Sequence, residues 1–129
     1  MPIKRNQLRS EASDQQAPNP AITDGFLSYD PEAGVIFTIL RDQIGGIEFN
    51  HDNTGLIYAT KPQGFPVGLT VPNGTGRSAK REDGYSLTEM QADDSTIEIY
   101  CIDSDGNDSD DLFTGDGAYI CIAVYQEPT

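Results

Sequence analysis

The chain has 129 residues, of which 36% are hydrophobic, and its 21 acidic and 8 basic residues give a formal net charge of −13. A chain of this length supports one domain with one modest core. Its strong negative charge disfavours nucleic acid and anionic membranes as partners. No apolar run approaches the ~20 residues that span a bilayer, and no signal peptide is recognisable, so we expect synthesis in the cytoplasm without export.

The first 24 residues differ from the rest of the chain. They show no hydrophobic period and contain three prolines and many polar side chains, so this segment cannot bury enough apolar surface to fold alone. The first 20 residues carry three bases and two acids, a net charge of +1, which leaves −14 on the remaining 109 residues. We predict an extended N-terminal arm over residues 1–24 that is either disordered or ordered along a neighbouring subunit.

Short apolar runs separated by turn residues follow the arm. The first four predicted strands are Phe26–Tyr29, Val35–Leu40, Ile47–Asn50 and Leu56–Thr60. Between the first two, Asp30 and Pro31 favour a type I turn, and Gly34 is free to adopt a positive φ as the chain leaves that turn. Each consecutive pair of runs therefore predicts a hairpin. His51, the only histidine, falls in the second turn and is expected to be solvated.

Four further runs complete the set of predicted strands: Val67–Val71, Tyr85–Gln91, Thr96–Ile102 and Ala118–Tyr125. The last two are the most apolar runs of the chain, and we predict that they pair as a central hairpin. Eight short strands with turn signals between them, and no sustained helical period, are typical of an all-β domain. We predict one such domain over residues 25–129, built of antiparallel strands as a sandwich, a jelly roll or a barrel.

An aspartate-rich loop, Asp103–Asp111, lies between the last two predicted strands and contains five aspartates and one asparagine. Ca²⁺ prefers several oxygen ligands of this kind. The candidate ligands are Asp103, Asp105, Asn107 and Asp110. The spacing departs from that of an EF-hand loop, because Asp108 stands where glycine is needed and Thr114 where glutamate is needed. We therefore predict that the loop is solvated and that the chain holds no metal and no other cofactor.

The sequence contains no recognisable catalytic constellation. Its serines and carboxylates fall in no Gly-x-Ser-x-Gly turn, metal-ligand spacing or phosphate-binding loop. We therefore predict a protein that is not an enzyme and has no catalytic residues. The two cysteines, Cys101 and Cys121, are too few for a disulfide framework, and we expect them to be reduced, small, buried residues.

Six basic residues are candidates for contacts between subunits. Three lie in the arm and three in the polar loop before the sixth predicted strand: Lys4, Arg5, Arg9, Arg77, Lys80 and Arg81. On an acidic chain, a local positive charge can dock against an acidic patch of an identical subunit. The alternative is that these side chains are solvated, in which case their ion pairs contribute little.

The segment Thr23–Phe37, read as Thr-Asp-Gly-Phe-Leu-Ser-Tyr-Asp-Pro-Glu-Ala-Gly-Val-Ile-Phe, resembles a short pattern of tailed-phage virion appendage and fibre proteins. That pattern is Gly-Glu-Leu-Ala-Tyr-Asn-x-x-x-Gly-x-Leu-Tyr. Gly25 and Gly34 match its two glycines, whereas Phe26 replaces its glutamate. The resemblance implies a β domain that assembles with copies of itself, often as trimers, and attaches to a phage particle.

From this resemblance we expect a non-enzymatic virion structural protein. The few residues after the last predicted strand favour a capsid decoration (cement) protein over a fibre, because a fibre continues into a shaft. The expected partners are further copies of the chain, as a homotrimer, and the major capsid protein or another virion protein. One alternative is a tail-fibre or head-fibre attachment protein. An alternative of another class is an extracytoplasmic β module that binds Ca²⁺ or a glycan.

Overall fold

A computed structural model describes residues 19–72, 84–114 and 117–126 of the chain. Its eight strands are β1 Ala21–Asp30, β2 Gly34–Asp42, β3 Glu48–Asn53, β4 Leu56–Thr60, β5 Thr70–Pro72, β6 Ser86–Gln91, β7 Thr96–Ile102 and β8 Ala118–Val124. They form two four-stranded antiparallel sheets, in the order β2-β1-β8-β5 (sheet A) and β3-β4-β7-β6 (sheet B). The predicted all-β fold is confirmed.

Helices are absent from these three ranges, so the described part of the chain has no helix that could cross a membrane.

The two early hairpins form as predicted, β1 with β2 and β3 with β4. Gly34 leaves the first turn with φ 83°, as the turn chemistry predicts.

The predicted hairpin between the last two strands is wrong. β7 pairs with β4 and β6 in sheet B, whereas β8 pairs with β1 and β5 in sheet A. β7 and β8 each have a neighbouring strand on both sides, so each is an inner strand of its own sheet. The high apolarity of these two runs therefore reflects their inner positions in two different sheets and not pairing between them. The aspartate-rich loop crosses from one sheet to the other.

The core lies between the two sheets and is filled by alternate residues of the central strands. Its fully buried members are Leu27, Ile57, Ala59, Phe65, Ile97, Ile99, Cys101, Leu112, Phe113, Ala118, Ile120 and Ile122. Most follow the period of two that points every second side chain of a strand to one face of the sheet. Phe65, Leu112 and Phe113 are exceptions, because they come from loops.

Two loop phenylalanines close opposite ends of the sandwich. The Phe65 amide donates to the Asp94 carbonyl at 2.8 Å, beside the turn between β6 and β7. At the other end, the Tyr29 amide of β1 donates to the Phe113 carbonyl at 2.8 Å. Both phenylalanine side chains are fully buried. The connections between the sheets therefore contribute to the core rather than merely spanning it.

The first sheet begins earlier than the sequence predicted. β1 starts at Ala21, so the last four residues assigned to the arm are part of sheet A, and residues 1–18 lie outside the described ranges. Thr23 is buried, and its hydroxyl donates to the Asp42 carboxylate at 2.8 Å and accepts from the Ile44 amide at 3.1 Å. Because the inward-facing Thr23 is polar, the start of β1 lacks the alternation of apolar and polar residues that predicts a strand.

β5 is shorter than predicted. Val67 to Leu69 form a turn, in which the Leu69 amide donates to the Pro66 carbonyl at 3.1 Å, and pairing with β8 begins only at Thr70.

Candidate functional site

The second half of the aspartate-rich loop seals one end of the sandwich. The Asp110 carboxylate accepts a hydrogen bond from the Gly55 amide at 2.7 Å, and the same oxygen lies 3.0 Å from Nε2 of His51. A carboxylate can only accept, so Nε2 carries the proton in this contact. The His51 ring stacks on Tyr29, with ring centroids 3.8 Å apart and planes 9° apart. This cluster joins β1, the β3–β4 hairpin and the β7–β8 loop.

Gly55 is the residue that lets the loop approach so closely. It has φ 77°, and a Cβ added there would lie 2.6 Å from the Cys101 carbonyl oxygen and 2.8 Å from the Ser109 nitrogen. Only glycine combines that backbone conformation with so little space.

The expectation that His51 is solvated is wrong, because its side chain is 18% exposed and is enclosed by Tyr29 and Asp110.

The four calcium candidates do not act together. The Asp103 carboxylate accepts from the amides of Asp105 and Asn107, each at 2.9 Å, and so holds the exposed turn of its own loop. Asp110 is directed instead to Gly55 and His51. Across residues 19–72, 84–114 and 117–126, no three His, Cys, Asp or Glu side chains are grouped so that they could hold a metal ion.

The prediction of a wholly solvated loop is wrong for its second half. Residues 104–108 are exposed, whereas Ser109 is buried, and so are Leu112 and Phe113, which directly follow the loop. Asp111 also faces inward enough to accept a hydrogen bond from the Tyr85 hydroxyl at 2.8 Å. The sequence gives no sign of this difference between the two halves of the loop, because an aspartate whose carboxylate has hydrogen-bond partners cannot be told from a solvated one by sequence alone.

The structural role of Asp110 can be tested against another aspartate of the same loop. We expect Asp110→Ala to lower the free energy of unfolding by about 1–3 kcal/mol, because it leaves the Gly55 amide without its acceptor. Asp105→Ala removes the same charge from an exposed position and should change stability by about 0.5 kcal/mol or less. Urea unfolding followed by tyrosine fluorescence measures both. Equal losses in the two variants would contradict the assigned role of Asp110.

The two cysteines lie in different sheets and are both free. Cys101 is fully buried in the core, and burial raises the pKa of its thiol to about 11. Cys121 is only partly buried, so the expectation of burial holds for the first cysteine and not for the second. Loss of water around Cys121 also raises the pKa of its thiol.

The solvent side of sheet A is largely apolar, and we call it outer face A. It consists of Ile22, Asp24, Phe26 and Ser28 of β1, Ile36, Thr38 and Arg41 of β2, Val71 of β5, and Tyr119, Cys121 and Ala123 of β8. Register places these residues opposite one another, while Leu27, Ile120 and Ile122 point into the core. Asp30 follows at the end of the β1 row, where the turn begins.

Outer face A contains one acid and one base, and they neutralise each other. Asp24 accepts from the Tyr119 hydroxyl at 2.6 Å and from Arg41 at 3.2 Å. Burial alone would raise the pKa of Asp24, but these two hydrogen bonds and the Arg41 charge outweigh it and lower that pKa below its ordinary value. Phe26 packs edge-to-face on Tyr119 at a centroid distance of 5.9 Å. Apart from Asp30 at its end, the described residues of the face thus have no net charge.

The solvent side of sheet B, outer face B, is polar and acidic. It consists of Glu48 and Asn50 of β3, Leu56, Tyr58 and Thr60 of β4, Thr96, Glu98 and Tyr100 of β7, and Ser86, Thr88 and Met90 of β6. Tyr100 donates a hydrogen bond to Glu98, which raises the pKa of Tyr100. Loss of water and the charges of Asp52 and Glu98 raise that of Tyr58.

An open cleft of about 370 Å³ lies at one end of outer face B. It is lined by Gly46, Glu48, Thr60, Pro62, Ser95 and Thr96. The lining contains one carboxylate and three hydroxyl groups, so this end of the face is also polar.

One acid points into the core. Glu89 lies on β6 in register with the buried Ile99, and neither of its carboxylate oxygens has a hydrogen-bond partner among the described residues. Burial raises its pKa to about 8, and the backbone of Cys121 acts in the opposite direction without cancelling that rise. A neutral carboxyl group is therefore favoured at this position at neutral pH.

The six basic residues predicted at subunit contacts all lie outside the described ranges: Lys4, Arg5, Arg9, Arg77, Lys80 and Arg81. Their role at subunit contacts stays a prediction.

The chain was also compared with protein-family models, with curated proteins and with solved structures, and none of them matches it.

Proposed function

We propose that this chain is a capsid decoration (cement) protein: a non-enzymatic β-sandwich that forms a homotrimer and attaches to a phage particle. One observation carries the proposal, namely the contrast between the two outer faces. A protein that coats a particle needs one surface to bury against its neighbours and another to remain in water. Outer face A, apolar and without net charge, suits the first role, and the acidic outer face B suits the second.

The resemblance of Thr23–Phe37 to phage virion proteins supports the same function. In the structure this segment is the β1–β2 hairpin with its Gly34 turn, so the similar residues form one local unit. β2 is also an edge strand of sheet A, where its unpaired backbone groups can accept a further strand.

Particle attachment is tested by co-sedimentation with empty capsids assembled from the major capsid protein of the same genome. We expect saturable binding of the full-length chain. Removal of residues 1–18 leaves β1 intact and should give a folded protein whose binding is about tenfold weaker or undetectable, because the arm contributes contacts. A Gly/Ser segment of equal length in place of residues 1–18 is the matched control, and it should bind as weakly as the truncated protein.

The outcomes separate the alternatives. If the truncated chain binds as the full-length chain does, the arm has no part in attachment. Binding to purified tails instead of capsids would favour a fibre-attachment protein. If the full-length chain binds neither, the virion assignment fails.

A further inference from the structure

We propose that outer face A is the surface through which copies of this chain associate, turned toward the symmetry axis of the oligomer. The inference depends on the proposed function only for the number of copies, since the proposed trimer sets that number. The partner is a second copy of the same chain, and charge and exposed apolar area each support that choice.

Charge is the first argument. Two copies of a chain with a net charge of −13 repel each other. Contact through outer face B would bring Glu48 and Glu98 of each copy together, and the residues that register places on that face include no base to offset them. Among the described residues, outer face A carries Asp24 and Arg41, which already form an ion pair, and Asp30 lies at its end. Copies can therefore approach through this face with fewer like charges at short range than through outer face B.

Exposed apolar surface is the second argument. On this face Ile36 is 50% exposed and Val71 46%. Leu40, which has no register partner at the bulge beside the face, is 60% exposed. Three strands about 4.8 Å apart and about 25 Å long, with the three residues of β5 at one edge, give the face a footprint on the order of 400 Å². The accessible surface of its side chains is larger, so two copies bury on the order of 1,000 Å² in total. That is the lower limit for a specific interface.

A capsid surface is the other possible occupant of outer face A, and it predicts a different result. If the face were used only against capsid, the purified chain would be monomeric in solution. Association between copies must therefore appear without any particle present, which keeps this test separate from that of the proposed function.

The test places a negative charge on one face or the other. Ile36→Glu adds a carboxylate to the outer row of β2, at a side chain that is 50% exposed. Met90→Glu makes the same addition to the outer row of β6 on face B, at a side chain that is 55% exposed. The full chain and both variants are compared by sedimentation velocity from about 1 to 300 µM, the range in which an interface of modest area assembles.

We expect the full chain and Met90→Glu to sediment as the same oligomer, and Ile36→Glu to require a concentration about tenfold higher or more. We expect the mass of a trimer. The mass of a dimer would still agree with outer face A as the contact surface, but it would contradict the proposed number of three copies. The proposal is overturned if the full chain is monomeric throughout, if Ile36→Glu assembles as the full chain does, or if Met90→Glu dissociates the oligomer equally. Should Ile36→Glu fail to fold, Val71→Glu on the same face replaces it and carries the same expectation.

Discussion

Replacing Glu89 by glutamine should stabilise the folded chain at pH 8 by a few kcal/mol and leave its stability at pH 4 nearly unchanged. The carboxylate is buried and has no hydrogen-bond partner in the described part of the chain, and its pKa in the fold is about 8 against an ordinary value of 4.5. At pH 8 the unfolded chain exposes Glu89 to water, where it ionises freely, whereas the folded chain must hold either a proton or a buried charge.

The direction of the pH effect follows from counting protons. Between pH 4.5 and 8 the folded chain binds a proton at Glu89 that the unfolded chain has lost, so stability falls as the pH rises through this window. Above pH 8 both states are ionised and the loss is complete. The difference between the two pKa values corresponds to a loss of stability on the order of 5 kcal/mol. This is an upper limit, since the residues around the carboxylate can relax when it becomes charged.

Urea unfolding of the parent chain and of Glu89→Gln, repeated from pH 4 to pH 9, measures the difference. Glutamine has nearly the size of the neutral acid and cannot ionise in this range, so the two curves should meet at low pH and separate as the pH rises. Glu48→Gln, on outer face B and exposed, is the matched control and should follow the parent chain within about 0.5 kcal/mol. Two parallel curves for Glu89→Gln and its parent would show that Glu89 reaches water in the folded chain.

The local features of the fold were readable from the sequence. β4 and β7 have the bounds that their apolar runs predicted, and the turn that ends at Gly34 follows from Asp, Pro and Gly at fixed positions. These features depend on residues close together in the chain, where propensity and turn chemistry act. β6 places Glu89 on the same row as Leu87, which packs against the core, but nothing in a single sequence says that an acid on such a row is buried.

Long-range features could not be read in the same way. The partners of β7 and β8 depend on which sheet each strand joins, and two equally apolar strands give no sign of that choice. The cluster of His51, Tyr29 and Asp110 joins residues up to 81 positions apart in the sequence, so no spacing marked it. Outer face A was missed for a related reason: its residues come from four strands, and only the register of sheet A sets them side by side.

Phe113→Ala should be among the most damaging single substitutions in the described part of the chain, lowering the free energy of unfolding by about 3–5 kcal/mol. The side chain is fully buried in the core although it belongs to a loop whose sequence is dominated by aspartate. Its removal leaves a cavity at the end of the sandwich, next to the hydrogen bond between the Tyr29 amide and the Phe113 carbonyl. Equilibrium unfolding in urea is the measurement.

Met90→Ala is the control for this last substitution, because Met90 is a large apolar residue that is 55% exposed on outer face B, and its truncation should cost about 0.5 kcal/mol or less. Phe65→Ala, at the opposite end of the sandwich, should match Phe113→Ala, since both residues fill the core from loops. A loss at Phe113 as small as that at Met90 would mean that the loop lies in water, as its charge alone suggested. The sandwich would then be open at that end, and the contacts of Asp110 with Gly55 and His51 would have no packed surface beneath them.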